Sequence, residues 1–487
     1  MNNKLARLNN SLQTNPLARI PLVLFLIGFS LDTMAQSVGC NDSFVAMDAN
    51  ALIINVTPNG SDDTTNIQCA LDAAVSEGIP TVALSAGNFF ISNLIVEGFK
   101  GTLEGKTKTT TVVEGLDNSI DCVGMENAGQ SSSVIKFVNG EPRIRFLTLR
   151  ANDVCMQNNV RASNFLHFTG EAANVSNCKN DVIFAAVDRV IIDGTATDTG
   201  PFVAVSVWPE GDGLGGCKTT LLGTFKLNRS ELFNTLFGLM TTMKGGAQVD
   251  VNFNEFHDHQ IAVYLLNTNQ NTTVSTNKFF STTTIEGLFN GVSVTTLSPT
   301  APATTRAVVH NNTFNVASTA GGPSIAVTAL QDGRVANVSS VVTNNKFNLG
   351  GNETWAVFFG DVSNTHVSAN RFTGNGSGAV FVSGLSPVSG WTITANLGLA
   401  SFTSTFAASG ADILLGANTS NCIVGPGQGG VVSDLGSNNS DLSSVDSTLT
   451  SIRTPVTQAA KSGFNEQQFG AHILQLLRTT RELVNSP

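Results

Sequence analysis

The stretch Val251-Asn-Phe-Asn254-Glu-Phe256 contains the pattern from which the architecture follows: an aliphatic residue, two further residues, an Asn, one residue and a Phe. The pattern returns at 274–279, 309–314, 342–347 and 367–372, and a weaker copy begins at Ile393. Upstream, Phe225-Lys-Leu-Asn228 keeps the spacing but begins with an aromatic residue and lacks the closing Phe. Successive Asn residues of the pattern are 23 to 35 residues apart. Repeats of that length indicate a solenoid, a propeller or an array.

A second apolar segment lies between successive copies, as in Ile261–Leu266 and Trp355–Phe359. These segments have the length and the β-branched and aromatic content of strands. We therefore expect each repeat to be one coil of short strands, with coils stacked in parallel about 4.8 Å apart. The Phe residues would form internal columns, and the Asn residues would form a ladder at a turn. Leucine-rich repeats share the Asn and the period, but the L-x-x-L-x-L pattern and the helix that they require are missing.

One helix is predicted near the start of the repeats, within residues 59–105. Asp62, Asp63 or Thr64 caps it, and Gly78 ends it. A strand, a turn at Ala86-Gly87 and a second strand follow. The apolar face of the helix is predicted to comprise Ile67, Ala70, Leu71, Ala74 and Val75.

This segment resembles the entry segment of pectate-lyase-superfamily and tailspike-like β-helices, in which a D-D-T-x-x-I-Q-x-A-[LI]-[DE]-A-A helix covers the open end of the solenoid. The specific part of the resemblance spans about 47 residues, and the repeats extend it more loosely to about residue 425. The resemblance implies an all-β, right-handed parallel β-helix with a short N-terminal capping helix. It does not fix the function, because this fold carries lyases, hydrolases, epimerases and non-catalytic proteins.

The two ends of the chain differ from the repeats. Basic residues precede an apolar run at Ile20–Leu31, and small residues at Thr33 and Ala35 follow it, which is typical of a secretory signal; a retained anchor is the alternative. We expect a signal peptide at 1–35, the β-helix at 36–425, a Gly-, Ser- and Asn-rich linker at 426–462, and an amphipathic helix at 463–487. That helix could cap the solenoid or pack against another chain to form an oligomer.

These features predict a secreted or extracytoplasmic protein, at the cell surface or in the periplasm, with no integral membrane span once the signal is removed. The net charge of −10 and the 13% of charged residues argue against nucleic-acid binding. The seven cysteines contain no CxxC pair, so no zinc site is predicted, and their connectivity stays open. No cofactor is predicted, and calcium stays open without a specific signature.

The first candidate site is Trp208-Pro-Glu210-Gly-Asp212-Gly, a Gly-rich loop with one aromatic ring and two carboxylates. Glycosidic cleavage needs one carboxyl group as the acid and another as the base or nucleophile. Glu210 and Asp212 are therefore catalytic candidates, and Trp208 is a candidate for stacking on a sugar ring. The alternative is an ordinary surface turn.

The second candidate site is His257-Asp258-His259, directly after a repeat Phe. Histidines two residues apart on a strand share a face. They could perform acid–base chemistry or chelate a metal. The alternative is a polar turn between strands.

The third candidate is the residue between Asn and Phe in each repeat, which is predicted to point outward. In successive coils it is Glu255, Lys278, Thr313, Lys346 and Arg371. Lys346 and Arg371 would be neighbours one strand spacing apart, and they could bind the carboxylates of an anionic polysaccharide. The alternative is solubilising charge along a sheet.

Together these features predict an exported protein that acts on or binds a polysaccharide or cell-surface glycan. The polygalacturonase motifs and the pectate-lyase calcium signature are missing, so lyase, hydrolase and epimerase activities stay open. The alternative is a non-catalytic surface or adhesion scaffold. An enzyme is expected to bring charged groups together on one sheet, where a scaffold would present Thr, Ser and Asn.

Overall fold

The computed structural model describes residues 39–443, except for 129, 152, 159, 171–179, 195–200, 209–219, 244–246, 267–270, 282–288, 297–304, 318–323, 332–337, 352–353, 384–386, 405–410 and 427–429. The predicted signal segment 1–35 and the predicted helix 463–487 lie outside the described residues. No helix in the described part of the chain is long and apolar enough to cross a membrane.

Three long sheets, named A, B and C here, form the walls of a solenoid. Sheet A comprises Val45–Asp48, Ile53–Val56, Thr81–Leu84, Thr102–Gly105, Arg143–Arg145, Asn180–Asp188, Thr220–Asn228, Gln248–Asn252, Asn271–Ser275, Thr305–His310, Val338–Thr343, His366–Ser368, Thr392–Thr394, Ile423–Val424 and Ser440–Asp441. Sheet B comprises Gly87–Ile91, Thr111–Gly115, Thr148–Ala151, Ile191–Asp193, Glu231–Phe233, Glu255–His257, Lys278–Phe280, Thr313–Ala317, Lys346–Gly350, Arg371–Gly376 and Thr403–Ser404. Sheet C comprises Leu94–Glu97, Ser133–Val138, Asn164–Thr169, Val203–Val207, Phe237–Thr241, Ile261–Leu266, Phe289–Thr296, Ser324–Gln331, Thr354–Gly360, Gly378–Ser383, Ile413–Leu415 and Val432–Asp434.

The chain visits sheets A, B and C in turn, and each strand pairs in parallel with its equivalent in the next coil. The described strands at the start, Val45–Asp48 and Ile53–Val56, pair antiparallel. A short parallel pair, Val388–Ser389 with Thr419–Ser420, lies outside the three sheets. The helices are Thr64–Glu77 and Cys122–Asn127, with a 3₁₀ turn at Leu399–Ser401. The predicted parallel β-helix is confirmed.

Stacked aromatic rings fill the inside of the solenoid behind sheet B. Neighbouring rings in this column have centroids 4.6–5.1 Å apart and planes within 11° of parallel. Each ring is fully buried or nearly so, so the column combines apolar burial with favourable stacking. The column confirms the prediction that the repeat Phe residues point inward; its members are Phe256, Phe279, Phe314, Phe347 and Phe372.

The predicted Asn ladder occupies the two-residue turns between sheets A and B. The first turn residue has positive φ, as Thr276 and Asn344 do, and the second is the ladder Asn. Oδ1 of Asn345 accepts from the backbone N–H (2.9 Å) and from Nδ2 (3.0 Å) of Asn312 in the preceding coil. Its Nδ2 donates to the carbonyl of Val309 at 2.9 Å. The ladder therefore satisfies backbone groups that the turn leaves without strand partners.

The expected weak copy at Phe225–Asn228 is out of register by two residues. Leu227 pairs with Val251, and Asn228 pairs with Asn252 on sheet A. The ladder position in this coil belongs to Ser230, whose N–H donates to Oδ1 of Asn254 at 2.9 Å. The spacing of Phe225 and Asn228 was therefore coincidental.

The predicted capping helix is present at Thr64–Glu77, and Gly78 ends it with φ 66°. Asp63 is the N-cap residue, but its carboxylate makes no cap hydrogen bond to the helix. It accepts instead from the N–H groups of Asn59 (2.8 Å) and Phe90 (3.1 Å), which ties the helix start to the first strand of sheet B. Val75 is partly exposed, so it does not belong to the buried face as predicted.

Two disulfides hold this end of the protein together. Cys40 pairs with Cys69 on the capping helix, and Cys122 pairs with Cys155. Cys422 is a buried free thiol. Cys178 and Cys217 lie outside the described residues.

The stacking continues into the segment where composition predicted a linker. Val432–Asp434 pairs with sheet C, and Ser440–Asp441 pairs with sheet A. These last coils expose large apolar side chains, whose exposed fractions lie between 39% and 62%: Ile423, Val431, Leu435 and Leu442. Residues 463–487, with their predicted apolar face, are a segment suited to cover them.

We expect a chain truncated after residue 462 to aggregate and to melt at a lower temperature. Each apolar side chain that residues 463–487 cover would add about 1–3 kcal/mol to the free energy of unfolding, and the truncated chain would lose this contribution. Thermal unfolding followed by circular dichroism and light scattering measures both effects. A truncated chain with unchanged melting would contradict the capping hypothesis, and a full-length chain that is oligomeric only when residues 463–487 are present would favour packing between chains.

Candidate functional site

The outer face of sheet B brings acidic groups, one imidazole and one aromatic ring together. We call Glu231, Phe233, Glu255, His257 and Asp258 the His257 cluster. Glu231 and Phe233 lie on one strand, and Glu255 and His257 lie on the next, in register. Because side chains alternate along a strand, these four residues all point away from the core. Asp258 follows in the turn to sheet C and has φ 59°.

His257 lies at the centre of the cluster and contacts two carboxylates. Its Nε2 is 3.3 Å from Oε1 of Glu231, and its Nδ1 is 2.9 Å from Oδ2 of Asp258. The ring of Phe233 stacks on the imidazole, with 4.6 Å between centroids and 10° between planes. The His257 side chain keeps 20% of its surface exposed, so its orientation is fixed while solvent can still reach it.

Glu255 provides a further carboxylate beside this chain of contacts. It pairs in register with Glu231 on one side and Lys278 on the other. Oε2 of Glu255 is 3.6 Å from Nζ of Lys278. Two carboxyl groups in adjacent coils therefore have different partners, an imidazole for Glu231 and an ammonium group for Glu255. This arrangement can support acid–base chemistry, in which one group donates a proton and another accepts one.

His259 does not share a face with His257, which corrects the prediction for this pair. The strand ends at His257, and the left-handed turn at Asp258 directs His259 into the core, where it is buried. Its Nε2 lies 2.8 Å from the carbonyl of Leu232, and its Nδ1 lies 3.1 Å from the hydroxyl of Thr235. Nδ1 also lies 2.9 Å from the carbonyl of Thr235, so each ring nitrogen faces a backbone carbonyl to which it can donate when protonated.

Burial lowers the pKa of His259 from 6.5 to about 4, against the opposing effect of its backbone hydrogen bonds. The unfolded chain therefore binds this proton near pH 6.5, whereas the folded protein binds it only near pH 4. Stability is fully present above about pH 6.5 and falls as the pH drops through that window. His259 therefore lies in the core and not on the outer face where the prediction placed it beside His257.

We expect the free energy of unfolding to fall by about 2 kcal/mol between pH 7 and pH 5 on account of His259 alone. Urea unfolding at the two pH values measures the change. In His259→Gln this contribution should disappear, whereas exposed His366→Gln should keep the wild-type dependence. An unaltered pH dependence in His259→Gln would contradict the assignment.

The first candidate loop begins on a different sheet. Trp208 follows the strand Val203–Val207 of sheet C, and its carbonyl lies 3.2 Å from Nε2 of buried His167. Burial, with the nearby charge of Lys136, lowers the pKa of His167 to about 3. Trp208 therefore does not join the His257 cluster. Glu210 and Asp212 lie outside the described residues.

Lys346 and Arg371 are neighbours in register on the outer face of sheet B, and both are exposed. They belong to the same row as Glu255, with Lys278 and Thr313 between. Three coil spacings, about 14 Å, separate Glu255 from Lys346. Lys346 and Arg371 are thus too far from the His257 cluster to contact it.

Within the described residues, no group of three or more His, Cys, Asp or Glu side chains is arranged to hold a metal ion. The sequence prediction did not include Glu231 and Phe233. Their coil lacks the ladder Asn and the closing Phe, so the repeat pattern did not align it with Glu255 and His257.

Comparison with known proteins supports the architecture. No family model and no curated protein matches the sequence. The structure is similar to the crystal structure of the Dettilon tailspike protein, with a TM-score of 0.51 and 11% identity over 79% of this chain and 68% of that one. The protein is a right-handed parallel β-helix.

Two further structures match this β-helix at lower TM-scores. The A-module of the Azotobacter vinelandii mannuronan C-5 epimerase AlgE4 gives 0.35, with 14% identity over 79% of this chain and 94% of that one. The catalytic domain of an α-1,3-glucanase in complex with nigerose gives 0.33, with 12% identity over 74% of this chain and 68% of that one. Neither similarity, at these TM-scores, indicates the activity of this chain.

Proposed function

We propose that this β-helix is an exported protein that acts on a polysaccharide at the outer face of sheet B. The observation that carries the proposal is the His257 cluster, where two carboxylates contact one partly exposed imidazole and a third lies in the same row. A parallel sheet repeats about every 4.8 Å along the solenoid, which suits an extended polymer lying across successive coils. The partner is a polysaccharide or cell-surface glycan, and the location is extracytoplasmic.

The four ionisable residues of the cluster each have a role in this proposal. His257 moves a proton to or from the sugar, Glu231 exchanges that proton with it, and Asp258 fixes the orientation of the ring. Glu255 is the second carboxyl group. For hydrolysis, Glu255 would activate water or attack the anomeric carbon, while protonated His257 gives its proton to the leaving oxygen. For elimination, His257 would remove the proton next to a uronate carboxylate while the glycosidic C–O bond at the neighbouring carbon breaks, and the protonated carboxyl group of Glu255 would give its proton to the leaving oxygen. For epimerisation, Glu255 would instead return a proton to the opposite face of the same carbon.

The test is a screen of the purified protein from Gln36 onward against neutral and uronate polysaccharides, with and without calcium. New reducing ends with absorbance from unsaturated uronate identify a lyase. Reducing ends without that absorbance identify a hydrolase. A changed uronate composition in an uncleaved polymer, measured by NMR, identifies an epimerase. Turnover that survives at the wild-type rate in the double variant Glu231→Gln/His257→Gln would contradict the location of the site.

A non-catalytic scaffold is the second candidate, and the later coils of sheet B favour it. There the outer row contains amides and a hydroxyl that bond to one another: Nδ2 of Asn348 donates to Oδ1 of Asn315 at 2.6 Å, and Thr373 donates to Asn348. Such self-satisfied polar rows suit adhesion more than chemistry. Polymer binding with no product in any of the three assays would select this function.

A further inference from the structure

Three arginines line the edge at which sheet A turns into sheet B, one in each of three successive coils. We call Arg145, Arg189 and Arg229 the arginine row. Arg189 and Arg229 occupy the first turn residue of their coils, with φ of 54° and 50°. In the coil before them Phe146 occupies that position, directly after Arg145. The side chains of the row are between 43% and 50% exposed.

The guanidinium groups are held in place before any ligand arrives. Those of Arg145 and Arg189 lie 5.4 Å and 5.1 Å from the ring centroid of Phe146. Arg229 donates two hydrogen bonds, from Nε (2.7 Å) and Nη2 (2.8 Å), to the carboxylate of Asp188. Arg145 donates from Nε to Glu104 at 2.6 Å. Ordered side chains lose less conformational entropy when they bind a ligand.

These contacts leave the edge positively charged in a protein whose net charge is −10. Three guanidinium groups face two carboxylates, Glu104 and Asp188. Exposed Arg143 and Lys226 add two more positive charges on the same face of sheet A, and Asp250, in register with Lys226, adds one negative charge. Each guanidinium has five N–H donors. The hydrogen bonds above use two of them in Arg229 and one in Arg145, so half-exposed donors are available to an anion.

The surroundings of the row fit a sugar polymer better than a small ion. In the coil after Arg229 the first turn residue is Phe253, whose side chain is 62% exposed. Its φ is 61°, a value that bulky residues rarely adopt. At the other end, a cavity of about 500 Å³ opens beside Arg145 and Phe146 and is also lined by Lys106. The edge therefore offers a recess, a row of cations and an exposed ring along one line.

The row adjoins the His257 cluster. Arg229 lies two residues before Glu231, separated only by Ser230 in the turn. The row runs along the solenoid axis at about 4.8 Å per coil, a spacing comparable with the length of one pyranose unit. A polymer lying along this edge would place its anionic groups on the arginines and the next sugar units beside the cluster.

We infer that the arginine row binds the carboxylates of a polyuronate, so that the substrate class of this site is an acidic polysaccharide. That the ligand is a polysaccharide rests on the proposed function, whereas its acidity is inferred from the arginine row. Arginine suits this task because its planar fork matches a carboxylate in two hydrogen bonds.

Affinity electrophoresis and calorimetry with polygalacturonate and alginate, each compared with its carboxyl-reduced form, test the inference. Wild-type protein should bind an acidic form at least tenfold more tightly than its reduced form, and added salt should weaken that binding. Arg229→Gln should weaken it about tenfold, and Arg229→Lys should restore part of the loss. Lys100→Gln removes the same charge at an exposed site on another corner and should change little.

Three outcomes would overturn the inference. Equal affinity for acidic and reduced forms would show that carboxylates are not recognised. Arg229→Gln and Lys100→Gln with the same affinity would remove the row from the site. Binding of dextran sulfate, but of neither polyuronate, would assign the row to sulfate esters. In each case, turnover of a neutral polysaccharide that requires His257 would leave the proposed function intact, whereas the absence of any polymer binding would overturn both.

Discussion

Replacing His257 by Gln should lower the rate of polysaccharide turnover by about 100- to 10,000-fold, the usual contribution of a positioned acid or base. Glutamine keeps the approximate size and a hydrogen-bond donor, but it cannot carry a proton between the substrate and Glu231. The loss should appear in kcat more than in KM, because Phe233 and the flanking charged residues still contact the polymer. Steady-state kinetics on the substrate found in the screen measures both constants.

Two controls separate this effect from general damage. His366 is exposed on sheet A, so His366→Gln should keep wild-type kinetics. Glu231→Gln should lower kcat and change the pH profile of the remaining activity, because the residue that exchanges the proton with His257 is lost. If His257→Gln retains full activity while the protein stays folded, the His257 cluster is not the catalytic site.

The fold could be predicted because the later coils obey a strict local rule. From Asn254 to Asn396 every turn between sheets A and B uses an Asn, and the inward position after it is mostly Phe. In earlier coils Val190 and Ser230 occupy the ladder position, and they are joined by a bond from the Val190 N–H to the Ser230 hydroxyl. Different side chains meet the same geometric need there, so those coils lack a repeat that the sequence can show.

The candidate site could be predicted only in part. Strand alternation correctly directs His257 outward, but it assumes that the strand continues through His259. The left-handed turn at Asp258 ends the strand at His257, two residues earlier, and reverses the direction of the His259 side chain. Contacts between coils could not be predicted from the sequence either, because Glu231 and His257 are 26 residues apart and Arg229 and Asp188 are 41 residues apart. Those contacts depend on the register of coils that have no visible repeat.

The second large effect is expected from the Asn ladder. We expect Asn345→Ala to lower the free energy of unfolding by about 4 kcal/mol. The change leaves the backbone N–H and one Nδ2 hydrogen of Asn312 without acceptors and leaves the carbonyl of Val309 without its donor. Each such buried group costs about 1–3 kcal/mol. Urea unfolding followed by circular dichroism measures the loss.

The matched control lies three residues further along the chain. Asn348 is exposed on the outer face of the adjoining strand and bonds to Asn315. Asn348→Ala should cost no more than about 0.5 kcal/mol, because water replaces the lost partner. Comparing the two variants thus distinguishes a buried Asn that bonds to backbone groups from an exposed Asn that bonds to side chains on the surface. Equal losses in the two variants would mean that packing of the Phe column, and not the ladder, holds successive coils together.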